Sequence, residues 1–212
     1  QYSFFLNNCN IIFTPSHDKI KNKSNVKQIL GSPSKKILLN KIKSKSYSSP
    51  VILILIGGNH GRYKMRPETI DYILTKVIKK NKKGSILISS SRRTPYDVIA
   101  CINAWNENNK SIKLVVHPNL QMKNTPLSQM LVDADEIIIT GDSVSMISEA
   151  CKYKKPVRIF FNKKICSSKH INFCKLIIKD GYAFPFESLL KKCNKIITFD
   201  TTKIITEEIM KM

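Results

Sequence analysis

The residues with the clearest chemical potential lie in three loops, each directly behind an apolar run: "GGNHGRY" (57–63), "SSSRRTP" (89–95) and "TGDSVSMISE" (140–149). In the first, Gly57, Gly58 and Gly61 allow positive φ and expose backbone N–H groups that would suit a phosphate, with Asn59 and Arg62 as further donors. The spacing is neither a P-loop nor G-x-G-x-x-G, so on its own it names no nucleotide class. His60 reads as a loop residue and stays a candidate base only through its place at the sheet edge.

The second loop sets Arg92 beside Arg93 in a chain with five arginines among 36 basic residues. Such usage points to a planar, charge-assisted contact that Lys cannot copy; the plain alternative is an ion pair with Asp97 or a nearby Glu. Ser91 precedes the pair, Thr94 reads as a helix N-cap and Pro95 as the first helical position. In the third loop, helical periodicity puts Ser143, Val144, Met146, Ile147, Ala150 and Cys151 on one broad face and Asp142, Ser145, Glu149 and Lys152 in a narrow outward arc. Backbone N–H groups at this helix start, assisted by the Ser143 and Ser145 hydroxyls, would meet a phosphate. Glu149, about 9–10 Å further along the axis, would accept from the vicinal hydroxyls of a ribose. A plain packing helix is equally readable, with Asp142 or Ser143 as N-cap and Glu149 paired to Lys152 or Lys154.

Elements able to position these loops run from residue 50 onward. "VILILIGG" is an unbroken β-branched strand ending at two glycines. Arg66-Pro67-Glu68 opens a helix whose stripe is Ile70, Ile73, Leu74, Val77 and Ile78. "SILISSS", "IKLVVHP", "EIIITGD" and "PVRIFF" are the following strands. "RRTPYDVIACINAW", "PLSQMLVDA", "SVSMISEACKY" and "KHINFCKLIIKDG" are the helices, the last ending at Gly181. This alternation predicts an α/β domain: a Rossmann-like parallel sheet with helices on both faces, whose strand-end loops share one edge. Residues 1–49 are polar and basic, and read as a remnant and linker ahead of a domain at 50–212.

The 212 residues and 42% hydrophobic content suit one such domain plus a fragment, and the leading Gln reads as a processed or partial front. The longest apolar run, Val51 to Ile56, is strand-sized and far below a membrane span. Six cysteines form no Cys-x-x-Cys pair and share no ligand spacing with the four histidines, so reduced thiols in a cytosolic compartment and no metal are expected. The formal charge of +21 follows largely from lysine usage typical of an A/T-rich genome, so no nucleic-acid partner is inferred. Two basic stretches, "HDKIKNKSNVK" and "KKILLNKIKSKS", concentrate charge near the front, where it could rest on an acidic lipid surface.

Taken in order and spacing, "LIGGNHGRY", "SSSRRTP" and "TGDSVSMISEACKYKKPV" resemble the mitochondrial fission Elm family and its bacterial glycosyltransferase-like relatives, sometimes labelled nucleoside-diphosphate-sugar epimerases. "TPSHDKIKNKSNVKQILGSP" is similar to that family's stretch joining two halves. The resemblance implies the C-terminal, donor-binding half of a GT-B architecture whose N-terminal half is largely missing. It implies a nucleoside-diphosphate sugar as substrate, with no cofactor and no metal, and a lipid-linked or envelope saccharide as acceptor. Site roles would fall on Gly58, Asn59, Arg62, Ser91, Arg92, Arg93, Thr94, Asp142, Ser143, Val144, Ser145 and Glu149; no catalytic base is identified. A separately encoded N-terminal half would be a partner, at the inner face of a bacterial cytoplasmic membrane. "VVHPNLQMKNTPLSQ" departs from the family pattern in lacking its aspartate-glycine and Asn-Pro-Tyr elements. A non-catalytic adaptor of the mitochondrial fission type is the alternative. Epimerase chemistry lacks a Tyr-x-x-x-Lys pair behind G-x-G-x-x-G.

Overall fold

The structure is a computed structural model that describes residues 9–16, 24–34, 47–118, 127–191, 193 and 196–211. Most of both front basic stretches, and residues 119–126 of the departing segment, lie outside the described residues. In chain order the elements are β1 (Ile12–Pro15), β2 (Val26–Ile29), β3 (Val51–Leu55), α1 (Pro67–Lys80), β4 (Ser85–Ser89), α2 (Tyr96–Asn108) and β5 (Ile112–Val116). There follow α3 (Leu127–Asp133), β6 (Glu136–Thr140), α4 (Val144–Ala150), β7 (Val157–Phe160), α5 (Ser168–Lys179), β8 (Phe184–Pro185) and α6 (Thr201–Ile209).

Six strands form one parallel sheet in the order β5-β4-β3-β6-β7-β8. Connections leave β3 toward β4 and β5 on one side, then cross back to β6, β7 and β8 on the other. This is the doubly wound Rossmann order, and the order in which strands are added reverses between β3 and β6. Strand alternation sends Ile52, Ile54, Ile86, Ile88 and Ile138 to one face, against Ile70, Ile73, Leu74 and Val77 of α1 and Val98 and Ile102 of α2. Val51, Leu53, Leu55, Ile137 and Ile139 point to the other, against Met130 and Leu131 of α3, Ile147 and Ala150 of α4 and Phe173 and Ile177 of α5. Both faces are covered, which is why the strands read as unbroken apolar runs.

Local signals explain the helix ends. Pro67 opens α1 with Glu68 in its first turn and Lys79 and Lys80 in its last, all favourable to the helix dipole. At the end of α5, Gly181 takes φ +81; its N–H bonds the Ile178 carbonyl at 3.1 Å and the Tyr182 N–H bonds that of Ile177 at 3.0 Å, closing a Schellman motif. One N-cap differs from expectation. Helix α2 starts at Tyr96 behind Pro95, without a side-chain cap. The Thr94 hydroxyl instead donates to the Gly57 carbonyl at 2.6 Å, a buried tie between two loops that wins over capping.

The front segment packs on the domain's end. β1 and β2 make a separate parallel pair. The residues after β2 dock on α4 and α6: Thr201 donates to the Leu30 carbonyl at 2.6 Å, Ser32 N–H to the Ser148 hydroxyl at 3.0 Å, and Thr202 to the Ser34 carbonyl at 2.8 Å. Gly31 is required here, because φ is +75 and a Cβ would lie 2.4 Å from the Ser148 hydroxyl. Arg158 of β7, only 2% exposed, ion-pairs with Glu136 and donates to the Ser188 and Lys191 carbonyls at 2.6 and 2.7 Å, fastening the segment after β8 to the sheet. Among the described residues no helix is long and apolar enough to cross a membrane.

Candidate functional site

The three loops do converge, because they follow β3, β4 and β6, neighbouring strands that all end at one edge. Asp142 holds them together. Its carboxylate, 2% exposed, accepts from Gly58 N–H at 2.8 Å and from the Thr140 hydroxyl at 2.7 Å, and ion-pairs with the Arg93 guanidinium at 3.3 Å. Arg93 spans all three loops, since its other terminal nitrogen donates to the Asn59 carbonyl at 3.0 Å. The paired arginines thus include a forked contact that Lys could not make, with Asp142 rather than Asp97 as the carboxylate.

This geometry corrects the reading of the first loop. Gly57 and Gly58 are absent from the positive-φ glycines, which here include Gly61 at +55. They are small because the backbones touch: a Cβ on Gly58 would lie 2.1 Å from the Arg93 carbonyl carbon, and one on Gly57 would lie 2.0 Å from an Asp142 oxygen. The N–H groups from Gly57 to His60 are not presented to a ligand either. Gly57 N–H goes to the Thr140 hydroxyl, Gly58 N–H to Asp142, Asn59 N–H to the Arg93 carbonyl and His60 N–H to the Tyr63 carbonyl. The Asn59 side-chain oxygen accepts from Met65 N–H at 3.0 Å. What reads as a phosphate cradle is an internally satisfied scaffold.

The outward arc of the third loop also needs correction, since two of its four members lie outside the helix. Asp142 precedes an extended Ser143 (φ −140, ψ 103), which is the N-cap and accepts from Met146 N–H. Lys152 follows the helix end at Ala150. Its ammonium, with the side chain 2% exposed, pairs with Asp200 at 2.9 Å and donates to the Ser34 carbonyl at 3.2 Å, not to Glu149. Within the helix, Ser145 is exposed with its hydroxyl 3.5 Å from that of Ser32, Val144 is half-buried against the core, and Glu149 is half-buried. Burial first, and the Glu149 charge second, raise the pKa of Tyr153.

Beside this scaffold lies an open cleft of about 740 Å³. Ser91, Arg92, Arg93 and Ser143 supply polar lining, while Leu55, Val116, Pro118, Leu127 and Met146 give it apolar walls. Of the residues expected at the site, those four reach the cleft wall. Gly58, Asn59, Thr94 and Asp142 form the scaffold beneath; Val144, Ser145 and Glu149 sit on α4 outside the wall. Arg62 is elsewhere, stacked 5.3 Å over the Tyr63 ring and lining a different cleft. His60 is exposed, its ring edge-on to His170 at 5.2 Å.

Sequence reasoning passed over His117. It sits just past β5, 3% exposed, with Nδ1 2.8 Å from the Ser90 hydroxyl and Nε2 3.1 Å from Asn103 Oδ1. With Asn103 Oδ1 accepting, the imidazole carries its proton on Nε2, so Nδ1 accepts from Ser90, which lines the cleft. Burial lowers the His117 pKa and favours this neutral ring. The available signal was a histidine at the C-terminal end of a strand beside that carrying the serines.

Comparison with known proteins gives the family. The sequence matches the family described as "Mitochondrial fission ELM1" over residues 3–212. It is 33% identical over 137 residues to the uncharacterized protein RP120 of Rickettsia prowazekii (strain Madrid E), a stretch covering 63% of this chain and 38% of that relative. With a match spanning nearly its whole length, and the three motifs gathered at one sheet edge, the chain belongs to the mitochondrial fission ELM1 family.

Proposed function

We propose that this chain is the donor-binding half of a glycosyltransferase that uses a nucleoside-diphosphate sugar. The observation that carries the reading is one cleft lined both by two arginines and a capped helix start and by apolar side chains. An amphipathic slot of this kind suits a ligand that is anionic at one end and aromatic at the other. The base would lie among Val116, Pro118, Leu127 and Met146, and the diphosphate at Arg92, Arg93 and Ser143. Guanidinium groups held in place would stabilise the charge that builds on the leaving diphosphate, without reorganisation during transfer. Glu149 would act on the ribose only if the nucleotide extends past the cleft along α4. The acceptor is proposed to be a lipid-linked saccharide at a membrane surface, presented by an N-terminal half not contained in residues 50–212.

Titration of UDP, GDP, ADP and CDP against thermal stability tests the donor reading. One of them should stabilise the chain saturably, by about 2.7 kcal/mol at a hundredfold excess over Kd, with the effect lost in Arg92→Ala. Absence of a shift with every nucleotide would overturn the reading and leave the adaptor alternative. Loss in Arg92→Ala with retention in Glu149→Ala would keep the cleft and remove the ribose role.

A further inference from the structure

Arginine usage marks a second place on the molecule. Of five arginines in a chain with 36 basic residues, Arg158 is buried and Arg92 and Arg93 line the cleft described above. The remaining two, Arg62 and Arg66, line other depressions on the same sheet edge, beyond β3 and β7. Every exposed arginine therefore faces a concavity, while lysines populate the rest of the surface. Lysine abundance explains the net charge, but it does not explain this placement.

One of these depressions, about 580 Å³, is lined by Arg62, Lys163, Lys164, Ser168 and Asn172, with Tyr63 beneath the arginine; the depression beside it carries four cations and Glu68. No carboxylate is in its wall. Among the described residues none of the three cations has an acidic partner, whereas Lys80, Lys152, Arg93 and Arg158 all do. The Arg62 guanidinium is held by the Tyr63 ring at 5.3 Å and by a hydrogen bond to its hydroxyl at 3.2 Å, which limits the rotamer freedom lost on binding. Asn162 caps the turn that presents the lysines, accepting from Lys164 N–H at 2.8 Å. The first turn of the 12-residue helix α5 completes the wall and adds its positive dipole end. Three uncompensated cations around one depression repel one another, and an anion of matching size relieves that repulsion.

We propose that the Arg62–Lys163–Lys164 cleft is a second anion site, separate from the Arg92–Arg93 cleft, that takes a phosphate or diphosphate ester. The ester is either free in solution or the headgroup of an anionic lipid. The site does not depend on the donor reading. Its test is made in the Arg92→Ala background, so that anions bound at the first cleft are not counted.

Calorimetric titration with inorganic pyrophosphate at about 0.15 M salt, where exposed charges are largely screened beyond roughly 8 Å, reads the free ester. Co-sedimentation with phosphatidic acid vesicles, against phosphatidylcholine vesicles, reads the headgroup. Lys163→Gln/Lys164→Gln and Arg62→Gln should each weaken the bound form by about tenfold or more, the scale of a lost charge-assisted contact. Lys82→Gln/Lys83→Gln, in the turn between α1 and β4 at the opposite sheet edge, removes the same charge as the double variant and should change binding less than twofold. Site-specific loss in the pyrophosphate arm assigns the free ester, and in the vesicle arm the lipid headgroup. Equal weakening in the Lys82/Lys83 control, or no saturable binding in either arm, overturns the proposal. All substituted side chains are exposed, so unchanged thermal midpoints confirm that folding is not the cause.

Discussion

Replacing Asp142 by Ala should be far more damaging than replacing it by Asn, although both remove the same charge. The carboxylate is buried and serves three donors: Gly58 N–H at 2.8 Å, the Thr140 hydroxyl at 2.7 Å and the Arg93 guanidinium at 3.3 Å. Alanine leaves the first two in a buried site without an acceptor, at about 1–3 kcal/mol each. The ion pair adds only about 0–1 kcal/mol, because the Arg93 side chain is 39% exposed and solvent screens it. Together these give about 2–7 kcal/mol, or a fall in Tm of roughly 4–28 °C for a chain of this size. Asparagine keeps one oxygen for Gly58 N–H and can donate its amide N–H to the Thr140 oxygen, so only the Thr140 hydroxyl proton loses its acceptor and the expected cost is about 1–3 kcal/mol. Urea unfolding followed by far-UV circular dichroism and by fluorescence of Trp105, the chain's only tryptophan, measures both. Alanine within about 1 kcal/mol of the parent, or asparagine as costly as alanine, would refute the view that hydrogen bonds rather than charge make Asp142 the keystone.

Gly58→Ala should cost about 2–4 kcal/mol, since the new methyl meets main-chain atoms of Arg93 and Thr94 at 2.1 and 2.5 Å; Gly61→Ala meets no atom within 4 Å and should cost only about 1 kcal/mol for its φ of +55. Urea midpoints that rank the two in the reverse order would contradict the close-packing explanation of the glycine pair. Burial holds the His117 pKa below its ordinary value near 6.5, so the unfolded chain binds the proton more readily. This contribution to stability is fully present above pH 6.5 and is lost as pH falls through the folded pKa, with a slope of at most about 1.4 kcal/mol per pH unit. The slope should flatten in His117→Gln, as read from urea unfolding at a series of pH values; an identical pH profile in that variant would exclude His117 as the cause.

The sheet and its helices were legible because period and punctuation agreed. Unbroken runs such as "VILIL" and "EIIIT" signal burial on both faces, and Pro67 and Gly181 mark helix boundaries through their own backbone preferences. The three loops could also be placed on one edge, because parallel strands leave no other arrangement. What each side chain does there was less legible, because it depends on distances across the edge. Gly57 and Gly58 look like a phosphate turn but are narrow where Asp142 and Arg93 approach. Asp142 and Lys152 look helical on a wheel that extends past both real ends of α4. Thr94 has the chemistry of a cap, yet its hydroxyl is claimed by the Gly57 carbonyl. His117 is marked in the sequence only by its place at the end of a strand, since its partners Ser90 and Asn103 are 27 and 14 residues away.

The place taken by Asp142 also constrains where a ligand can sit. In doubly wound sheets the crevice at the reversal of strand order receives the ligand's phosphates, and here that crevice lies between the ends of β3 and β6. It is filled by a carboxylate that already accepts from Gly58 N–H and lies within 2.0 Å of where a Gly57 Cβ would be. A diphosphate in the same position would face an anion at short range in a buried setting, a repulsive arrangement. A bound diphosphate would therefore be displaced toward β4 and β5, into the cleft lined by Ser91, Arg92 and Arg93. Arg93 reaches that cleft with its guanidinium already committed to Asp142 and to the Asn59 carbonyl. Arg93→Ala should therefore lower the stability of the three loops that create the cleft as well as weaken any nucleotide binding there, because one side chain ties all three together.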